Sequence, residues 1–218
     1  MKTARIPAAS QEYPIGKIIC IGRNYVDHIK ELGNAIPTAP VIFMKPATAV
    51  IGDGETIRIP SYSSDCHYEA ELAVLIGAPG KDIPDSEALS HVAGYGVAID
   101  MTLRDVQDEL KKKGLPWEIA KGFDTACPLS AFVPASQIAD PQALTVRLSL
   151  NGQERQNGST GLMIHSVARI ISHMSSIFTL EAGDVILTGT PSGVGRVVAG
   201  DVLAADIAGV GHLRVTVA

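Results

Sequence analysis

Aromatic side chains are scarce in this sequence, at 5% of residues with a single tryptophan, and cysteine is scarcer, at three of 218. A core with so few rings must be aliphatic. The cysteines, Cys20, Cys66 and Cys127, are odd in number and far apart. That spacing excludes a disulfide framework and a zinc knuckle and fits reduced thiols packed as small core residues. A surplus of positive charge is also missing: the formal net charge is -5, and the lysines at 111–113 are offset by acidic neighbours. A phosphate-binding surface, and with it a nucleic-acid partner, is therefore not expected. No apolar window approaches a membrane span, and the opening "MKTARIPAAS" lacks the apolar centre of a secretory leader. The chain is expected to stay in the cytoplasm, away from membranes.

What is present is a chain of 46% apolar and 19% charged residues, long enough for one full hydrophobic core and short for two. Apolar or alternating runs bounded by Gly, Pro and Asp predict strands at 17–22, 41–46, 55–60, 71–77, 94–100, 184–190, 201–209 and 212–218. Leu144, Val146, Leu148 and Leu150 alternate ahead of Asn151-Gly152, which predicts a hairpin with a two-residue turn. Helices are fewer. One is expected after Thr102 as N-cap, with Asp105 three residues on and Gly114 as the stop. A second is expected over 162–177, where Ile164, Val167, Ala168, Ile171 and Met174 form a stripe, and a short one around "YVDHIKEL". The class expected is a single β-rich α+β domain over 17–218, preceded by a short extension at 1–16.

The stretch "HYEAELAVLIG" at 67–77 carries Glu69 and Glu71 into an otherwise apolar strand. Residues two apart on a strand share a face, about 7 Å from each other along it. Burying an isolated carboxylate is strongly unfavourable, so the pair must be solvated, matched by positive groups, or neutralised by a metal ion. Asp100 ends the apolar run "GYGVAID" in the same way. Three oxygen donors with no His or Cys pattern suit a hard divalent cation, Mg²⁺ or Mn²⁺, rather than zinc, while solvated carboxylates at strand ends are the commoner reading of the same pattern taken alone.

The segments "CIGRNYVDHIKELG", "PVIFMKPATAVIGDG", "HYEAELAVLIG", "AIDMTLRDVQDELKKKGLPWEIAKGFDTACPLS" and "LTGTPSGVG" occur in this order and together resemble the fumarylacetoacetate hydrolase family. Within it the chain is most similar to the short, single-domain acylpyruvases that also act on oxaloacetate. The resemblance runs from about Lys17 to the end of the chain. It implies a mixed β-roll with a few flanking helices, a homodimer, and a catalytic role for 17–218.

Carried over position by position, the family's metal carboxylates fall on Glu69, Glu71 and Asp100, and its active-site lysine on Lys121. Arg104 and Gln107, three apart on one helix face, are expected to face the substrate. Arg23 in "GRNY" is a candidate for the substrate carboxylate. Gly189 and Thr190 match the loop beside the substrate. His28 and Glu31, also three apart, match a dyad on a lid helix that closes on substrate and acts on a water, with Gly33, Pro37 and Pro40 punctuating the segment after it. The sequence departs from the family in two ways. Thr38 stands where many relatives have a proline, and no separate N-terminal domain precedes the first strand, which makes fumarylacetoacetate itself a poor candidate substrate.

The chemistry implied is Mg²⁺- or Mn²⁺-dependent cleavage of an acylpyruvate into pyruvate and a carboxylic acid, with oxaloacetate decarboxylation through the same enolate. Here His28, assisted by Glu31, would deprotonate water, and Lys121 would stabilise the oxyanion. Two alternatives stand beside it. One is keto-enol tautomerisation of oxaloacetate, which uses the same enolate without breaking a carbon-carbon bond. The other is a non-catalytic metabolite-binding or interaction module.

Overall fold

The computed structural model describes residues 2–33, 35, 37 and 39–218. Its centre is a six-stranded mixed sheet in the order Val133–Pro134, Val92–Ile99, Ala70–Ile76, Val185–Leu187, Ile18–Gly22, Val41–Lys45. Only Ile18–Gly22 and Val185–Leu187 run parallel; the other neighbours are antiparallel. A five-stranded sheet lies in the order Gln153–Ser159, Thr145–Leu150, Val202–Ile207, Gly211–Val217, Thr56–Ile57. With a smaller three-stranded sheet and the helices Val26–Glu31, Arg104–Lys113, Glu118–Lys121 and Val167–Ile177 at the flanks, this is the expected β-rich mixed roll.

Every residue of Ala70–Ile76 is buried, because both of its faces are covered. A strand covered on both sides reads as a continuous apolar run, which is why its sequence does not alternate. The core is overwhelmingly aliphatic, with Ile18, Ile19, Leu72, Leu75, Ile76 and Ile99 fully enclosed. Cys20, Cys66 and Cys127 are buried free thiols. Burial pushes the Cys66 and Cys127 thiols up to about 12, which keeps both in the unreactive protonated form.

Several sequence expectations are refined. Asn151 and Gly152 both take positive φ, 52° and 79°, the primed turn that a two-residue hairpin requires. The run at 55–60 pairs only over Thr56–Ile57. Thr102 is not a helix cap: it lies in the strand Thr102–Leu103, fully buried, and Leu103 precedes the helix Arg104–Lys113 without a side-chain cap. Gly114 does end that helix in a left-handed conformation. The helix expected from 162 begins later, at Val167, where the Ser166 hydroxyl accepts from the Arg169 N–H. Ile164 therefore falls outside it, and Ile170 is buried in the stripe instead. A hairpin not foreseen, Thr3–Ile6 with Gln11–Pro14, sends Ala4 and Ile6 into the core. Thr38 lies outside the described residues. Among the described residues no helix is long and apolar enough to cross a membrane.

Candidate active site

The chain changes sheets at Glu69. Cys66–Tyr68 belongs to the three-stranded sheet and Ala70–Ile76 to the six-stranded one, so Glu69 stands at the junction with its carboxylate turned into a cleft. The backbone N–H of Asp100 donates to the Glu69 carbonyl at 2.8 Å, and Glu71 pairs in register with Ala98 on the strand that Asp100 follows. This pairing brings the three carboxylates together: each offers an oxygen, all within 4.8 Å of one another, and all three residues are buried.

Buried anions at this spacing need compensation, and the structure supplies cations around them. Lys121 Nζ donates to Glu69 Oε2 at 2.9 Å, to Asp100 Oδ2 at 2.6 Å and to Thr102 Oγ1 at 2.6 Å. Arg104 bonds Glu69 and, at 2.8 Å, Gln107 Oε1. Burial alone would raise the Glu69 carboxyl, but Lys121 and Arg104 outweigh it and hold this group well below the usual range. Glu71 goes the other way. Burial, followed by the charges of Asp100 and Glu69, pushes its carboxyl well above the usual range, although the Gly189 N–H donates to its Oε2 at 2.6 Å. Burial would lower the Lys121 ammonium, but Asp100 and Glu69 reverse the direction and keep it charged.

The residues present fit a hard divalent cation. They offer three convergent, buried carboxylate oxygens, and one of the three groups carries an anionic charge that its surroundings oppose. Asp100 Oδ1 adds to the fit: it lies 2.7 Å from Lys45 Nζ yet accepts no aligned hydrogen bond among the described residues. Glu69, Glu71 and Asp100 are the residues that would hold the ion.

Ten of the eleven residues singled out in the sequence line this one cleft: Arg23, His28, Glu69, Glu71, Asp100, Arg104, Gln107, Lys121, Gly189 and Thr190. The eleventh, Glu31, stands behind His28, its Oε2 3.3 Å from His28 Nδ1, and its Oε1 accepts from the Gly193 N–H at 3.0 Å. Arg23 closes the strand Ile18–Gly22 with φ of 60°, a left-handed conformation that costs a non-glycine residue energy and is concentrated at functional sites. Two donors expected to meet a substrate are already engaged inside the protein. The Gly189 amide holds Glu71, and the Thr190 hydroxyl donates to the Ala70 carbonyl at 2.8 Å. By contrast, Arg104 Nε is buried with no hydrogen-bond partner among the described residues, a donor that a bound anion would satisfy.

The structure adds residues that the sequence reading passed over. Lys45, 1% exposed at the end of Val41–Lys45, also donates to the carbonyls of Met101, at 3.2 Å, and Lys121. A lysine closing an apolar run was the available signal. Gln156 is fully buried. Its Oε1 accepts from the Ala70 N–H at 2.9 Å, and its Nε2 donates to Thr190 Oγ1 at 2.8 Å and to the Pro191 carbonyl at 2.9 Å. It thus ties the backbone between Glu69 and Glu71 to the loop that carries Gly189 and Gly193. Asn24 does the same for the start of the short helix, donating to the Thr188 and His165 carbonyls at 2.9 and 3.1 Å.

The chain is 52% identical over 193 residues to the oxaloacetate tautomerase YcgM of Escherichia coli (strain K12), covering 88% of each chain. It is 51% identical over 197 residues to the mitochondrial oxaloacetate tautomerase FAHD1 of Rattus norvegicus, covering 90% of this chain and 89% of that one. The crystal structure of fumarylpyruvate hydrolase from Pseudomonas aeruginosa in complex with Mn²⁺ and pyruvate superposes with a TM-score of 0.95 at 39% identity, covering 99% of this chain and 95% of that one. The model of the fumarylacetoacetate (FAA) hydrolase C-terminal family matches residues 17–218, and the chain belongs to that family.

Proposed function

We propose that the protein is a divalent-metal-dependent oxaloacetate tautomerase. The observation that carries this reading is the meeting, in one cleft, of an acidic triad with a histidine-glutamate pair. The identity of about half the residues to proteins named as tautomerases supports it. The sequence alone puts acylpyruvate hydrolysis first and tautomerisation second; the names of these relatives support taking tautomerisation first.

A bound Mg²⁺ or Mn²⁺ would polarise the keto oxygen and stabilise enolate charge. The protein's own residues account for the rest. The cleft is lined by four cationic side chains, Arg23, Arg104, Lys111 and Lys121, against three carboxylates. Adding a divalent cation makes it a site for a dianion, and oxaloacetate is one at neutral pH. In the ketonising direction the enol hydroxyl gives up a proton and C3 gains one; no carbon-carbon bond breaks. His28 is the group placed to carry that proton. It is 6% exposed, Glu31 engages its Nδ1, and Nε2 is left to exchange with a bound molecule. Lys121 has its three protons on Glu69, Asp100 and Thr102, so its part is to orient the triad.

Hydrolysis of an acylpyruvate is the second reading, favoured by the likeness to fumarylpyruvate hydrolase and by the same dyad, which would then deprotonate water. Oxaloacetate decarboxylation, a cytoplasmic location and a homodimer complete the proposal. The deciding experiment follows loss of enol-oxaloacetate absorbance with Mg²⁺ or Mn²⁺, alongside pyruvate release from acetylpyruvate and from oxaloacetate. Rapid ketonisation that His28→Ala slows by about 10² to 10⁴ supports the first reading. Pyruvate release from acetylpyruvate without ketonisation replaces it with the second. Light scattering on the purified protein tests the dimer.

A further inference from the structure

The proposed reaction uses Lys111 only as one of the positive charges of the cleft. The helix Arg104–Lys113 presents Arg104, Gln107 and Lys111 at spacings of three and four, so the three share a face, and all three line the cleft. Arg104 is engaged with Glu69 at the triad. Lys111 stands about 6 Å beyond Gln107 and about 10 Å beyond Arg104 along the helix axis. Its side chain is 24% exposed against 10% for Arg104, so the row runs from the buried triad toward solvent. Its ammonium lies 5.6 Å from the centre of the Trp117 ring, which in turn packs on Phe43 with ring centres 5.9 Å apart. That aromatic wall limits where the charge can go. Among the described residues the one anion paired with it is Asp108, at 3.4 Å and half exposed.

We propose that Lys111 is the specificity-determining residue of this cleft, receiving the distal carboxylate of a four-carbon diacid whose α-oxygen end lies at the triad. This rests on the reading above that the substrate is a keto diacid. The terminal carboxylates of such a molecule are three carbon-carbon bonds apart, and the long Lys111 side chain, which leans toward the helix N-terminus as helical side chains do, reaches back into the cleft to cover the remaining distance. The electrostatics agree. Burial is the main cause that lowers the Lys111 ammonium pKa; Asp108 opposes it, and Arg104 and Arg23 add to it from the same cleft. A substrate carboxylate at this point gives the half-buried ammonium a second anionic partner. A substrate with no distal carboxylate does not.

Malate and lactate provide a matched pair of unreactive probes, because they share an α-hydroxy acid end and differ in the distal carboxylate. Calorimetric titration of the Mg²⁺-loaded protein is expected to show malate preferred to lactate. Lys111→Gln should weaken malate about tenfold, or ~1.4 kcal/mol, and lactate less than twofold, with Lys111→Arg restoring most of the malate affinity. For enol-oxaloacetate the same variant should raise KM with a much smaller change in kcat. A parent that does not prefer malate to lactate, or a Lys111→Gln variant with unaltered malate affinity or with equal losses for both probes, overturns the proposal. Because these are binding measurements, they stand whether or not the protein ketonises oxaloacetate, so failure of the tautomerase reading is recognised separately.

Discussion

Glu31 accepts a hydrogen bond from the backbone N–H of Gly193 through Oε1 while its Oε2 lies 3.3 Å from His28 Nδ1. One carboxylate thus orients the His28 ring and fastens the short helix Val26–Glu31 to the loop after Gly189. Gly193 itself is held with φ of 100°, and a Cβ there would lie 2.0 Å from the Arg155 carbonyl oxygen, so the loop tolerates no side chain at this point.

The double engagement separates two variants. Glu31→Ala loses both contacts, whereas Glu31→Gln keeps an oxygen that can accept from Gly193. Ketonisation should fall by about 10² or more in the alanine variant and by less in the glutamine variant. Amide exchange over 26–31 should speed up in the alanine variant alone. Equal losses, with exchange unchanged in both, would mean that the Gly193 contact does not hold the helix.

The triad makes a prediction with two signs. Burial and the charges of Asp100 and Glu69 oppose ionisation of Glu71. Glu71→Gln removes an unfavourable anion and keeps an acceptor for the Gly189 N–H. The chelator-treated variant should therefore melt at or above the chelator-treated parent. The parent should gain about 2.7 kcal/mol from Mn²⁺ at a hundred times its Kd, a rise in Tm of roughly 5 to 11 °C for a chain of this size. The variant should gain little. An equal Mn²⁺-induced rise in both proteins would remove Glu71 from the ligand set.

Much of this site was legible because its chemistry is costly in sequence terms. Carboxylates at the ends of apolar strands, at 69, 71 and 100, contradict their surroundings and so announce a compensating charge. Lys45 gave a fainter signal, since a lysine ending a strand also reads as an ordinary exposed terminus. Gln156 gave none: it is the one fully buried side chain in the otherwise polar strand Gln153–Ser159, and only the fold reveals that this strand passes behind Ala70. Thr102 misled because a threonine before a helix is the usual cap pattern, and the tertiary demand of Lys121 for an oxygen partner took precedence. The Thr3–Ile6 hairpin escaped notice because four-residue strands offer too little periodicity.

Gln156 provides a test of how rigidly the triad is held. Gln156→Leu keeps the apolar volume but leaves the Ala70 N–H and the Pro191 carbonyl without their partner, a loss of about 1 to 3 kcal/mol for a buried unsatisfied group. A fall in Tm of roughly 2 to 12 °C should accompany it. The metal-binding consequence is more specific. Mn²⁺ affinity should drop along with stability, because Ala70 lies between Glu69 and Glu71, two of the three residues that could hold the ion. A variant that is less stable but binds Mn²⁺ like the parent would confine Gln156 to packing.

Asp105 gives the pH dependence. Burial is the largest single influence and raises its carboxyl, but hydrogen bonds from the Ser63 hydroxyl at 2.7 Å, the Ser64 N–H at 2.9 Å and the Val106 N–H at 2.8 Å together prevail, and its pKa is lowered. The bonds to Ser63 and Ser64 anchor the 63–64 loop to the first turn of the helix that carries Arg104, Gln107 and Lys111. A carboxyl depressed in the folded state contributes stability that is fully present above its unfolded pKa, about 3.9, and is lost as pH falls through the lower folded value. Asp105→Asn should therefore be less stable than the parent by a constant amount from about pH 5 to 8, with the gap closing below about pH 4. Because the group is only partly buried, solvent screens it and the gap should be modest, on the order of 1 kcal/mol. Denaturant melts of both proteins across this range measure it. A gap that widens toward acid pH would show that the hydrogen bonds favour the protonated carboxyl and would reverse the sign of the argument.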